Sequence, residues 1–120
     1  QVIFDESEFA TINFANTGAA ATLDADDFTS ALAGAFTFQG DEVNIITNAA
    51  GFADYDTAFA AANAGGNAEI IVGFFNSDEG RFELYFDADA RDAAGEVLIA
   101  TLDITGAQVA DLTAANFGVV

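Results

Sequence analysis

The last third of the chain has the clearest alternation of hydrophobic and polar positions. Its apolar runs are AEIIVGFFN, RFELYFDAD and EVLIATLDIT, separated by the turn-rich segments SDEG and RDAAG. Apolar runs divided by turn residues at this spacing predict an antiparallel meander of strands. Within RFELYF the alternation predicts one core face. The core face is Phe82, Leu84 and Phe86, and the opposite face is Arg81, Glu83 and Tyr85.

Earlier and later segments predict additional strands. Residues 1–16 hold β-rich runs around an acidic turn and predict two short strands. The segment AFTFQGDEVNIIT predicts a hairpin of Ala35–Phe38 and Val43–Thr47, because GlnGlyAspGlu between two apolar runs is typical of a turn. The final apolar run, Phe117–Val120, is expected to complete a sheet as its last strand.

Two segments have helical character. Acidic residues crowd the start of DADDFTSALAG, where they favour a helix N-terminus, and this predicts a short helix that ends near Gly34. Asp54 suits the N-cap of a second helix over YDTAFAAAN, and Thr113 suits the cap of a single turn. We therefore expect a mainly β fold, an antiparallel β-sandwich or a β-roll-like sheet with one or two short helices, in a single domain over residues 1–120.

Charge changes this picture by excluding classes of partner. The 120 residues include 20 Asp and Glu against only 2 Arg and no Lys, so the formal net charge is -18. Nucleic-acid binding needs clustered cations on phosphates, and Arg81 and Arg91 cannot supply them. The same lack argues against an anionic membrane surface, and the sequence holds no uncharged apolar stretch long enough to span a bilayer. We expect no nucleic-acid partner and no membrane insertion.

Composition also argues against catalysis. The chain has no His, Cys or Lys, so the usual general base, thiol nucleophile, zinc ligands and Schiff-base amine are missing. A pair of carboxylates would suffice for glycoside hydrolysis, but with 20 acidic residues such a pair carries little information, and there is no Trp to form a sugar platform. We therefore expect a protein that is not an enzyme.

Closely spaced aspartates are the candidate chemistry, because calcium prefers several oxygen ligands at once. The first cluster is Asp87, Asp89 and Asp92 at a strand end, with Asn76 and Asp78 expected on a neighbouring turn. The second cluster is Asp24, Asp26 and Asp27, which would equally suit a charged helix start in water. Asp54 and Asp56 suit capping better than metal binding. Arg81 and Arg91 are expected to form ion pairs with adjacent acids.

The carboxy-terminal region resembles a known group. The elements Tyr85–Asp89, Val97–Leu102 and Leu112–Val120 are similar to the aromatic-Asp-x-Asp turn, the following strand and the closing Leu-Thr-Ala segment of RTX, or haemolysin-type, calcium-binding proteins exported by type I secretion. The chain departs from the group at Ala90, where glycine is common, and has no glycine-aspartate nonapeptide repeat. The resemblance implies calcium as a ligand, a secretion-signal-like tail, and a secreted, extracellular or cell-surface location.

These features lead to a functional hypothesis with two alternatives. The leading hypothesis is a non-enzymatic secreted structural or adhesive subunit that self-associates into a filament, matrix or surface layer. Its terminal β runs, Val2–Phe4 and Phe117–Val120, lack the Lys and Pro that usually protect sheet edges, so we expect a homo-oligomer or polymer formed through them. The first alternative is a passive carboxy-terminal export and stabilising cap of a larger toxin or hydrolase. The second is a halophile's domain adapted by acidity alone.

Overall fold

The chain forms a mainly β fold built on two sheets. The structure, a computed structural model, describes residues 2–4, 21–23, 25–38, 43–62, 69–89, 91 and 93–119. Within these residues a five-stranded sheet has the order β3-β4-β5-β6-β7, and a three-stranded sheet has the order β1-β8-β2. The strands are β1 Val2–Phe4, β2 Ala21–Thr22, β3 Phe28–Ala31, β4 Val43–Ile46, β5 Ile70–Asn76, β6 Arg81–Asp87, β7 Val97–Leu102 and β8 Phe117–Val119. The predicted fold class is confirmed.

The meander predicted from the last third is present. β5 pairs antiparallel with β6, from Ile70 opposite Asp87 to Asn76 opposite Arg81. β6 pairs antiparallel with β7, and the register of this pair shifts between Leu84 and Tyr85. Ala100 lies opposite Leu84 and Leu98 opposite Tyr85, so β7 contains one additional residue, a β-bulge, at Ile99.

The other half of the large sheet is parallel, and the hairpin predicted for Ala35–Phe38 and Val43–Thr47 is wrong. The neighbours of β4 are β3 and β5, both in parallel register. Parallel neighbours need a crossover connection, and the helix α1 (Tyr55–Ala61) lies between β4 and β5 in the chain. All four residues of β4 are buried, which is typical of a parallel strand covered on both faces.

The helix predicted over DADDFTSALAG is also wrong. Ala25–Asp27 form a 3₁₀ turn, β3 follows directly, and Ala33–Ala35 form another 3₁₀ turn. Phe28 packs against the core and its ring lies 5.7 Å from that of Phe117. Pairing with β4 therefore overrides the weak helix propensity of this segment.

Both predicted caps are confirmed. The Asp54 carboxylate accepts from the Thr57 backbone N–H at 2.8 Å and from the Thr57 hydroxyl at 2.6 Å, which begins α1. Thr113 is the N-cap of a 3₁₀ turn over Ala114–Asn116. A further four-residue helix, α2 (Gly106–Val109), precedes it. Neither helix of the described residues has the length and apolar character that crossing a membrane requires.

Buried side chains lie on both faces of the five-stranded sheet. One cluster joins Ile45, Ile71 and Phe82 to Val109 of α2 and Phe117 of β8. The other cluster packs α1 and the turn after β3 against the opposite face. Its buried members are Ala33, Phe36, Phe38, Ile46, Tyr55, Ala58, Phe59, Ala62, Ile70, Val72 and Phe74. The five-stranded sheet is therefore covered by α1 on one face and by α2 and β8 on the other.

This two-sided burial changes the prediction for β6. Phe82, Leu84 and Phe86 do contact the first cluster, as the alternation predicted. The opposite face is covered as well, since Tyr85 packs against the second cluster and Glu83 is only 2% exposed. A single core face is therefore too simple, because α1 covers the second side of the sheet.

Candidate functional site

The predicted calcium ligand Asp87 lies at the end of β6 and is fully buried. Its Oδ2 accepts a hydrogen bond from the Tyr55 hydroxyl at 2.6 Å, and its Oδ1 accepts from the Asp89 backbone N–H at 2.9 Å. Burial raises the pKa of the Tyr55 phenol, and the bond to Asp87 raises it further. The phenol thus stays protonated as a donor, and Asp87 ties α1 to the sheet.

Asp89, two residues further on, forms a bidentate pair with Arg91. The guanidinium donates through Nε to Oδ1 at 2.6 Å and through Nη2 to Oδ2 at 2.7 Å. The predicted ion pair between Arg91 and an adjacent acidic residue is therefore confirmed. These hydrogen bonds hold the pKa of the Asp89 carboxyl below its usual value. Arg81 pairs with Glu83 at 2.9 Å and with Glu79 at 3.7 Å, which confirms the other predicted pairing.

The remaining predicted ligands divide between described and undescribed positions. Asp26 is exposed in the 3₁₀ turn before β3, and its neighbour Asp27 is buried. Asp24 and Asp92 lie outside the described residues. Hydrogen bonds from Thr57 hold the pKa of the Asp54 carboxyl below its usual value, as the capping role predicts.

One part of the calcium prediction is wrong. The sequence predicts Asn76 and Asp78 on a turn near Asp87, but Asn76 lies opposite Arg81 whereas Asp87 lies opposite Ile70. An antiparallel hairpin places these residues at its opposite ends, separated along the strands by about 20 Å at the usual rise per residue. Asn76 instead closes the turn, since its Oδ1 accepts from the backbone N–H of Asp78 at 3.0 Å.

Among the described residues no group of three or more acidic side chains is close enough together to hold a metal ion. Glu69 has a buried carboxylate oxygen, Oε2, without a hydrogen-bond partner in the described part of the chain. Glu69 immediately precedes β5, where Ile70 lies opposite Asp87, so it belongs to the same end of the sheet. The calcium site therefore stays a prediction, with Glu69 as a neighbour that the sequence did not single out.

Glu83 is the centre of a buried polar network. Its Oε2 accepts from Asn76 Nδ2 at 2.8 Å and from the Tyr85 hydroxyl at 2.7 Å, while Oε1 accepts from Arg81 Nη2 at 2.9 Å. Burial alone would raise the pKa of this carboxyl, but the donors from Tyr85, Asn76 and Arg81 outweigh it and the net direction is down. Glu83 is therefore a stabilised buried anion rather than a proton donor.

The side chains of this network stabilise the fold by hydrogen-bonding one another. Tyr85 also has a raised pKa, first because of burial and then because of its bond to Glu83. The rings of Tyr85 and Phe74 stack at 5.7 Å, and those of Tyr55 and Tyr85 lie 5.1 Å apart. The phenols and carboxylates thus satisfy each other within a packed aromatic cluster, as buried polar groups must.

β7 is an edge strand with exposed apolar side chains. It has six residues, none of them charged, and pairs with β6 along one edge. Val97 is 55% exposed and Leu98 is 44% exposed, and the described residues place no strand against the other edge of β7. An open edge of this kind, without Lys or Pro, is a template for pairing with another chain.

The carboxy-terminal strand β8 does not have the free edge that the sequence predicts. β8 lies between β1 and β2, so both of its edges carry hydrogen bonds within the chain. Phe117 is fully buried against the core. β8 is thus the last strand of a sheet, as predicted, but the expectation that it offers a free edge is wrong because its own chain occupies both edges. β1 lies at the outer edge of the small sheet.

Sequence reasoning missed Val97 and Leu98 as surface residues, although a signal was present. The run VLIATL does not alternate between apolar and polar positions, unlike RFELYF before it. The last strand of a meander is a natural edge, and an edge strand with Thr101 as its single polar residue leaves apolar side chains in water. The position of VLIATL at the end of the meander therefore indicates β7 as an edge in addition to the terminal run Val2–Phe4.

Comparison of the chain with protein-family models, with curated proteins and with solved structures finds no match. The similarity to RTX-type proteins therefore rests on the sequence elements alone.

Proposed function

We propose that the protein is a non-enzymatic structural subunit of an extracellular assembly and that it self-associates through sheet edges. The observation that carries the proposal is the open edge of β7. Six uncharged residues with β propensity, including the exposed Val97 and Leu98, stand on a molecule with a net charge of -18. An uncharged exposed edge on so acidic a surface is suited to contact with another chain.

We propose that the net negative charge makes self-association depend on dissolved ions. Copies that each carry a charge of -18 repel one another at low ionic strength. The screening length falls from about 30 Å in 0.01 M salt to about 8 Å at 0.15 M, so salt or bound cations reduce this repulsion steeply. Association that needs ions is appropriate outside a cell, where sodium and calcium are abundant. The similarity to secreted RTX-type proteins supports the same location.

Calcium is the divalent cation that we propose for the acidic turns. The proposed ligands are Asp87, Asp89, Asp92, Asp24 and Asp26. Glu69 supports a cation at the Asp87 end, because its buried Oε2 lacks a partner in the described part of the chain. Calcium would have to displace Arg91 from Asp89, so we expect weak, millimolar affinity in the range of extracellular calcium modules.

Size-exclusion chromatography with light scattering tests the proposal. The chain is run in dilute buffer with a chelator, in about 0.5 M sodium chloride, where charges are screened within several ångströms, and in millimolar calcium at matched ionic strength. We expect monomers in dilute buffer and larger species in salt. A monomer under all three conditions would contradict self-association and leave the export-cap alternative.

Melting curves under the same conditions separate the role of calcium from that of acidity alone. We expect a higher melting temperature in calcium than in sodium at equal ionic strength, reduced by Asp87→Asn or Glu69→Gln. Equal stabilisation by the two salts would favour the halophilic alternative and reject the calcium site.

A further inference from the structure

We propose that β7 pairs antiparallel with β7 of a second copy about a two-fold axis, and that facing carboxylates of Glu96 and Asp103 make this pairing dependent on ions. The inference rests on the proposed self-association and names its surface. It would join the two large sheets into one continuous sheet, with main-chain hydrogen bonds across the contact.

The β-bulge at Ile99 makes β7 self-complementary. In a regular strand, residues separated by three positions lie on opposite faces. In β7, Leu98 lies opposite Tyr85 and Thr101 opposite Glu83, and these two β6 residues share a face because Tyr85 donates to Glu83. Leu98 and Thr101 are therefore on the same face despite their spacing.

The other face shows the same symmetry. Val97 lies opposite Phe86, and Leu102 lies opposite Phe82, and both β6 residues contact the same core cluster. A two-fold axis perpendicular to the sheet keeps each face on its own side. The first half of β7 can thus pair with the second half of β7 in another copy, and the residues that lie opposite each other are on the same face of the joined sheet.

Residue sizes match under this operation. Val97 comes opposite Leu102 of the second copy, and Leu98 comes opposite Thr101 of the second copy. At the centre, Ile99 comes opposite Ala100 of the second copy. Each pair combines apolar or β-favouring side chains, and the central one pairs a large with a small side chain, so cross-strand packing is favourable. The exposed Val97 and Leu98 both become covered.

The charges that flank β7 meet at its ends. Glu96 precedes the strand and Asp103, which is exposed, follows it. With the strands paired over their full length, Glu96 comes opposite Asp103 of the second copy at each end of the contact. Like charges directly opposite one another destabilise a strand pair. Flanking charge is one of the devices that protect a sheet edge, and dissolved ions screen it.

The other edge of the large sheet is a weaker candidate. β3 has four residues, and Thr29 within it already has a partner. Leu32, 59% exposed, lies just beyond this strand. A contact between β7 and β3 of a second copy would be parallel in a continuous sheet that keeps each face on its own side, because β3 and β7 run in the same direction. The two-fold β7 contact is isologous and closes as a dimer.

Sedimentation velocity tests the charge part of the inference. The variant Glu96→Gln with Asp103→Asn should dimerise in dilute buffer, about tenfold or more tighter than the native chain, and lose most of the salt dependence. The matched control, Asp78→Asn with Asp111→Asn, removes the same charge from exposed positions elsewhere. If the control tightens association equally, net charge is the cause and the facing carboxylates are rejected.

Cysteine cross-linking tests the register, since the native chain has no cysteine. Leu98→Cys with Thr101→Cys should give a disulfide-linked dimer under mild oxidation in salt, because the two positions face each other across the axis. Leu32→Cys, at the other edge, should not cross-link. Dimers from Leu32→Cys alone would assign association to the β3 edge and overturn this inference, while self-association itself would stand. A chain that stays monomeric in salt would overturn both.

Discussion

β5 and β7 belong to the same sheet and have similar sequences, IIVGFF and VLIATL, but they have opposite surroundings. β5 has a strand on each side and buried residues on both faces, so Phe74 is completely inaccessible. β7 has one neighbouring strand and leaves Val97 more than half exposed. Apolar composition alone therefore does not say whether a strand holds the fold together or is available to another chain. Strand order decides it.

The largest expected effect on stability comes from removing a buried side chain of β5. Phe74→Ala would empty a fully buried site beside Tyr55, Phe52 and the stacked Tyr85, and should lower the free energy of unfolding by about 3–5 kcal/mol. Val97→Ala in β7 is the control and should change it by less than about 0.5 kcal/mol, because the side chain already lies in water. Urea unfolding of the monomer in dilute buffer measures both.

The next effect concerns packing within β5 itself. A Cβ at Gly73 would overlap the ring of Phe82 and would lie 2.8 Å from a methyl group of Ile45. Gly73→Ala should therefore destabilise by about 1–3 kcal/mol through overpacking, although alanine is a better strand residue than glycine. Gly34→Ala, which meets no atom within 4 Å, is the matched control. Equal effects at the two glycines would contradict the packing around β5.

A comparable effect is expected where α1 meets the sheet. Tyr55→Phe keeps the ring but removes the donor to the buried Asp87, and should cost about 1–3 kcal/mol of stability. Arg91→Ala removes an exposed partner of Asp89 and should cost much less, because exposed ion pairs contribute little. Thermal unfolding of both variants gives the comparison. A larger loss for Arg91→Ala would contradict the assignment of Asp87 as the buried anchor.

The smallest effect is a pH dependence. The pKa of Glu83 is lower in the folded state than its ordinary value of 4.5, so its contribution to stability is present above that value and is lost as the pH falls through the folded pKa. Glu83→Gln lacks this titration. The stability difference between the native chain and the variant should therefore shrink as the pH is lowered from about 6 to about 3. A constant difference would contradict the charged, hydrogen-bonded state of Glu83.

The sequence predicted what depends on local pattern. The meander, the N-cap at Asp54 and the turn after Thr113 all follow from residues close together in the chain. It could not predict the parallel half of the sheet, because β3 and β4 meet only through pairings between distant segments. The helix expected across Phe28 failed for the same reason, since its local propensity was overridden by the neighbouring strand.

The candidate site was predictable to a smaller extent. Asp87 and Asp89 were correctly placed at a strand end, but their occupied oxygens follow from the approach of Tyr55 and Arg91 in the fold. The choice of the termini as open edges was wrong for β8 because edge position is a property of strand order. The bulge at Ile99, which makes β7 match itself, arises from its pairing with β6 and has no signature in the run VLIATL.

The most direct test of the β7 edge is the association state of Thr101→Lys beside the native chain in salt, measured by sedimentation velocity. Thr101 is exposed, so the fold should be unchanged, while a lysine on the edge should block pairing by charge and desolvation. We predict a native dimer and a monomeric variant with the same unfolding midpoint in dilute buffer. A variant that dimerises as strongly as the native chain would show that β7 is not the surface through which copies meet.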